Sequence, residues 1–303
     1  MAPPSAITIL SEARLLTGRA ARGLWVMWVT LTALAVVAAA PAIHSLARHF
    51  GHSHAASRLV LEFDPAAVAE WIFQSGGDSL ATTAAAIAAA LLAVLPLSVF
   101  WAGGAMGQLA HNGGFLENGA RYFWRLLRLA LFAALFYAVL FTAYASAGSV
   151  ADSLFEDSME AWPLVVARQG LVVLLAAAAA VLAAGFDYAK VRLVVEESAS
   201  AAAAGFAGLG FVLRHPWRAL APLAFIALCG GLLFAFYQTA YNVFDYRGLR
   251  TILISIAGQQ LYLLLRLWLR LWHWSVCLRV DRAWRRPTAP WTLAAPEPYG
   301  DNI

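Results

Sequence analysis

The chain has 303 residues, of which 62% are hydrophobic and only 13% charged, with a net charge of +4 and a mean hydropathy of +0.69. Soluble domains average about 45–50% apolar and about 25% charged residues, and the 21 Lys and Arg with 17 Asp and Glu present here are too few to coat a water-soluble fold of this length. The composition therefore predicts a membrane protein and argues against nucleic-acid binding, for which the basic excess is too small.

A hydrocarbon core of about 30 Å takes roughly 20 residues of helix. Six predominantly apolar runs of that order occur, at about residues 23–43, 80–101 with an uncharged continuation to His111, 129–149, 165–186, 219–244 and 251–273. Lipid leaves backbone donors no partner outside the segment, and no alternating barrel strands occur, so the expected fold class is all-α: a polytopic bundle of six transmembrane helices. The organisation expected is a cytoplasmic amphipathic segment over 1–22, a transmembrane domain over 23–278, and an Arg- and Pro-rich cytoplasmic tail over 279–303.

The first run follows Arg14, Arg19 and Arg22 and ends in small residues, as a secretory signal peptide does. Its length, its long leader and Pro41 at the would-be cleavage site favour an uncleaved anchor. The loop over 44–79 carries four histidines, His44, His49, His52 and His54, as weak candidates for a metal site. Their spacing is irregular for one helix face, and a solvated or headgroup-contacting cluster explains them better. Further on, LEFDPAAVAEWIFQ from Leu61 reads as a short surface helix with Asp64 as N-cap and Pro65 in the first turn.

Three segments share a layout: LLTGRAARGLWVMWVTLTALA from Leu15, FLENGARYFWRLLRLALFAAL from Phe115 and FAGLGFVLRHPWRALAPLAFIAL from Phe206. Each runs from glycine through arginine and aromatics into a pure apolar stretch, which suggests three helical hairpins, each introduced by an interfacial amphipathic helix. A true triplication and simple convergence of composition at a bilayer surface both account for the pattern. Alanine tracts at 84–86, 88–90 and 176–180, with Gly103 and Gly107 at small-xxx-small spacing, predict close helix approach in a compact bundle. Pro96 and Pro222 predict bends.

Orientation follows from the arginines. Putting both termini, the loops over 104–128 and 187–218, and the adjoining end of the last span with Arg266 and Arg270 on one side collects 16 of the 21 Lys and Arg residues there, so that side is expected to be the cytoplasm of a bacterial inner membrane.

Catalytic motifs are missing. Gly77, Asp78, Ser79 and Leu80 match a block found in some serine esterases, but no D-x-x-H partner follows and the tetrapeptide precedes a membrane span, so Ser79 reads as an N-cap. Gly205, Gly208 and Gly210 fit neither phosphate-binding glycine pattern. Cys229 and Cys277 form no framework. No catalytic residue, cofactor or enzymatic activity is expected.

The last span is the most informative. Gln259, Tyr262, Arg266, Arg270, His273 and Cys277 fall on one face of the helix, with Trp268 and Trp272 opposite. Counting the helical rise from Thr251 puts Arg266 about 7 Å inside the inner boundary and Arg270 at it, where they are candidates for lipid-headgroup contact. Asp187 and Glu196, at the same depth, are the proposed ion-pair partners of Arg266 or Arg270. No Asp, Glu or Lys sits at the middle of any span, which disfavours ion-coupled transport. Gln238, Asn242, Gln259 and Gln260 would be the lining of a cavity if the chain transported an uncharged or lipid solute.

FLENGARYFWRLLRL from Phe115 and FDYAKVRLVVEESASAAAAGF from Phe186 resemble segments of bacterial six-span proteins of unknown function, similar in layout to the membrane domain attached to some glycerophosphodiester phosphodiesterases. The phosphodiesterase catalytic domain itself is missing, so that activity does not carry over. The sequence thus leads to a non-enzymatic inner-membrane scaffold or complex subunit whose partners are membrane lipids and other membrane proteins. The alternative is a transporter or channel for a lipid or small uncharged solute.

Overall fold

A computed structural model describes residues 6–51, 69–70, 73, 78–111, 113–156, 162–197, 200–243 and 249–285. These are 96% helical with no strand, which establishes the all-α class. They form eight helices: α1 (Ala6–Arg19), α2 (Ala21–Phe50), α3 (Asp78–His111), α4 (Phe115–Leu154), α5 (Trp162–Val195), α6 (Ala201–Arg214), α7 (Pro216–Val243) and α8 (Leu249–Arg285). All but α1 and α6 are long and apolar enough to cross a membrane, the architecture of a multi-pass membrane protein. Most of the surface helix expected within 44–79, the side chain of Ser79, His52, His54 and the tail from residue 286 lie outside the described residues.

Each expected span sits inside a longer helix. At 1.5 Å per residue, the 40 residues of α4 reach about 60 Å, twice the hydrocarbon thickness. The surplus is the amphipathic sequence. FLENGARYFWRLLRL does not lie on the surface and then turn, as the sequence suggests, but continues straight into the span, because nothing in it breaks the helix. The other two amphipathic segments do turn. Ala20, with φ −90° and ψ 11°, separates α1 from α2, and His215 separates α6 from α7. The latter break has a local cause, since Pro216 disfavours a helical His215 while suiting the first turn of α7.

The buried residues gather at the arginine-rich end. They include Ala13, Met27, Met106, Tyr122, Leu129, Tyr188, Val191, Val212, Leu271 and Leu278. Beyond this base the helices are largely uncovered, and the most apolar window of α3 contains no buried residue at all. Leu91, Leu92, Leu135, Val139, Val173 and Leu232 all face outward, an apolar surface of the kind that lipid covers without cost.

This placement corrects the expectation of a compact bundle. Ala84, Ala85, Ala88, Ala89, Ala176 and Ala177 are exposed; close approach occurs through glycines instead. A Cβ on Gly103 would come within 3.2 Å of Leu126, and one on Gly107 within 2.5 Å of Asn118, so α3 and α4 touch along this stripe. A Cβ on Gly208 would run into the Gly185 carbonyl oxygen and lie 2.8 Å from the Ala189 nitrogen. The glycines that fail as a phosphate loop thus let α6 lie against α5.

The turn between α5 and α6 is tied down from α4. Glu197 has φ 49°, unusual for a residue with a side chain. Arg121 Nη2 donates to its carboxylate at 2.6 Å, and Arg125 Nη1 to its carbonyl at 3.2 Å. Ser200 then caps α6, its hydroxyl accepting from the Ala203 N–H. With α6 seated, Tyr188 donates to the Ala219 carbonyl at 3.0 Å and links α5 to α7.

Candidate functional site

Between the α4–α5 hairpin and the α7–α8 hairpin lies a cavity of about 1240 Å³, floored on one side by Leu31 of α2. Its volume comes from small side chains. Ala130, Ala133 and Ala134 of α4, Ala180, Ala183 and Ala184 of α5, and Ala224, Ala227 and Gly230 of α7 all line it. Alanine here makes room between helices instead of bringing them together.

The cavity is polarised along its length. One end, toward the buried base, presents Asp187 and Lys190 from α5 and Arg266, Arg270 and His273 from α8. The other end is bounded by Ala180, Gly230 and Leu263, with Tyr137 also in the lining. From Leu263 to Trp274 the helical rise is about 16 Å; the charged side chains occupy the part from Arg266 to His273, and Leu263 lies about one turn before Arg266.

Helix periodicity explains the charged end. Residues 266, 270, 273 and 274 recur at intervals of four, three and one, placing all of them on the side of α8 that faces the gap. Lys190 follows Asp187 by three residues on α5 and meets it on the same face.

Within the cluster the carboxylate is fully occupied. Lys190 Nζ donates to Asp187 Oδ1 at 2.7 Å, and His273 Nε2 donates to Asp187 Oδ2 at 2.8 Å. A carboxylate can only accept, so the imidazole carries its proton on Nε2 in this contact. This corrects the expected pairing of Asp187 with Arg266 or Arg270: a lysine one turn along α5 and a histidine across the gap take both oxygens first. Glu196 is exposed just past the end of α5 and does not line the cavity. Among the described residues, Arg266 and Arg270 form no ion pair. The Arg270 guanidinium lies over the Trp274 ring, 5.2 Å from its centroid, a cation–π contact that leaves its donors available.

The rest of the predicted stripe serves packing. Tyr262 stacks on Tyr237 with ring centroids 4.5 Å apart. Gln259 is exposed. Gln260 accepts from Trp28 Nε1 at 2.9 Å and from the Thr32 hydroxyl at 3.4 Å, tying α8 to α2. Gln238 is exposed on α7, and the side chain of Asn242 lies outside the described residues. None of Gln238, Gln259 and Gln260 lines this cavity.

Cys277 is buried one turn beyond His273 and does not reach the cavity wall. On the opposite side of α8, Trp272 donates to the Leu10 carbonyl at 3.2 Å, and Ser275 and Thr17 share a buried hydroxyl contact at 3.2 Å, which fastens α1 along α8. His44 and His49 ride on α2, five residues and hence about 140° apart, so they point to different sides. Among the described residues no group of three or more His, Cys, Asp and Glu is placed to hold a metal ion.

Two cavity features escaped the sequence. Lys190 was visible only within the charged stretch beyond Asp187, and of the alanines that line the cavity only Ala180, in the 176–180 tract, was read, as a packing residue. The signal that could have found them is shared depth, since 130–134, 180–190 and 263–274 all adjoin the arginine-rich ends of their spans. No family model, curated protein or solved structure matches the chain. The six long apolar helices fit a polytopic membrane protein, and nothing supports the likeness to the membrane domain of some glycerophosphodiester phosphodiesterases.

Proposed function

We propose that this is a non-enzymatic integral membrane protein that holds an anionic amphiphile between its α4–α5 and α7–α8 hairpins and serves as a lipid-bound scaffold or subunit of a membrane assembly. The arginine-rich end faces the cytoplasm of a bacterial inner membrane, following the basic-residue bias. The observation that carries the reading is the cavity with Arg266 and Arg270 at one end, where the single carboxylate, Asp187, is bonded to Lys190 and His273, and alanine walls at the other. Arginine is costly within a bilayer and ordinarily faces a partner. An anionic headgroup supplies one, and its acyl chain fits the apolar end.

Transport is the second reading, and the lining weighs against it. A passage would need polar groups continuing beyond Arg266 and Tyr137, whereas Gln238, Gln259 and Gln260 lie off the cavity. The test is purification in mild detergent followed by native mass spectrometry and lipid extraction. Wild type is expected to retain an anionic lipid and to bring down protein partners, and Arg266→Gln with Arg270→Gln to lose the lipid. Lipid-free wild type, or equal retention by the double variant, would overturn the lipid-binding reading.

A further inference from the structure

Resting on that reading, we infer that the cavity selects a phosphate monoester headgroup over a phosphodiester: an amphiphile whose phosphate is terminal and carries close to two negative charges. The charge count points there. Three fixed cations, Lys190, Arg266 and Arg270, line the charged end against one carboxylate, Asp187. Asp187 is engaged on both oxygens, by Lys190 at 2.7 Å and His273 at 2.8 Å. Two guanidiniums are left over, and a diester phosphate with its single charge would satisfy only one.

Geometry supports the same match. Arg266 and Arg270 are four residues apart on α8, so their Cβ atoms lie about 5–6 Å apart on one face. Two planar donor forks at that spacing can share one phosphate group. A terminal phosphate offers three non-bridging oxygens and a diester only two. Binding must be decided here, because a tail that leaves the bilayer for an apolar cavity gains nothing from the hydrophobic effect. The alanine walls accommodate the chain; the arginines choose the headgroup.

The experiment adds phosphatidic acid or phosphatidylglycerol with identical acyl chains to the delipidated full-length protein in neutral-lipid nanodiscs. Binding is read by native mass spectrometry, with inorganic phosphate as a separate arm. The expected result is at least a tenfold preference for phosphatidic acid, no competition by inorganic phosphate at equal concentration, and loss of the preference in Arg266→Gln with Arg270→Gln. Ala183→Phe, which pushes a ring into the alanine-walled part of the cavity and leaves every charge in place, should weaken binding of the lipid. Should the glutamine variants fail to fold, Arg266→Lys with Arg270→Lys keeps the charge, removes the forks and should reduce the preference. Equal retention of both lipids, weakened in Ala183→Phe, would overturn the headgroup inference and leave the amphiphile reading standing. Failure to bind either lipid would overturn both. Binding of inorganic phosphate as tight as that of phosphatidic acid would show an anion site with no lipid selectivity and refute the inference.

Discussion

Replacing Asp187 by asparagine keeps the shape of the side chain and removes the one carboxylate of the cavity. Asparagine offers a single acceptor oxygen, so either Lys190 or His273 loses its partner, and the positive charges of Lys190, Arg266 and Arg270 remain with nothing to oppose them. Breaking a fully buried pair costs about 3–5 kcal/mol. The side chains here are partly accessible, 16% for Asp187, 30% for Lys190 and 24% for His273, which lowers the expected loss to about 2–3 kcal/mol. Asp152 with Arg168 is an internal control: that pair has the same 2.8 Å contact but side chains 47% and 60% exposed, so Asp152→Asn should cost under about 1 kcal/mol. Reversible unfolding in mixed micelles measures both variants. A double-mutant cycle with His273→Gln should give a coupling of about 1–2 kcal/mol between residues 187 and 273. A loss for Asp187→Asn no larger than for Asp152→Asn, or no coupling to His273, would refute the claim that this carboxylate holds α5 to α8.

Other expectations follow from packing and topology. Gly208→Ala drives a methyl into the Gly185 carbonyl and should destabilise by about 1–3 kcal/mol. Gly210→Ala, on the same helix with open space around it, should be neutral or stabilising by up to about 1 kcal/mol, read in the same assay. Gln260→Leu removes the acceptor of Trp28 and Thr32 and should cost about 0.6–1.7 kcal/mol, with Trp28→Phe non-additive to it in a cycle. In detergent, a maleimide should modify the partly exposed Cys229 well before the fully buried Cys277, as followed by intact mass. A fusion of alkaline phosphatase after Ile303 should be inactive in cells under the proposed orientation, and an active fusion would overturn that orientation.

Helix class, the number of spans and the basic bias of one end could all be read from residues in order. They depend on hydropathy summed over about 20 neighbours and on the rule that lipid leaves backbone groups unsatisfied outside a helix. The one-sided stripe of Arg266, Arg270 and His273 was legible for the same reason, since 3.6-residue periodicity is local. What that stripe faces was not. Whether Asp187 meets an arginine or a histidine depends on the axial offset of α5 against α8, which is set by Gly185, Gly205 and Gly208 seating α6 and by Tyr188 reaching Ala219. Likewise an alanine tract reads the same whether it closes an interface or opens a cavity. Ala130, Ala133 and Ala134 and Ala180, Ala183 and Ala184 line one beside the glycine-packed base. The sequence by itself determined the membrane architecture and the arginine face of the last helix. The tertiary structure alone decided that two of those arginines form no ion pair among the described residues and line a cavity with alanine walls, because side-chain partners are fixed by neighbours distant along the chain.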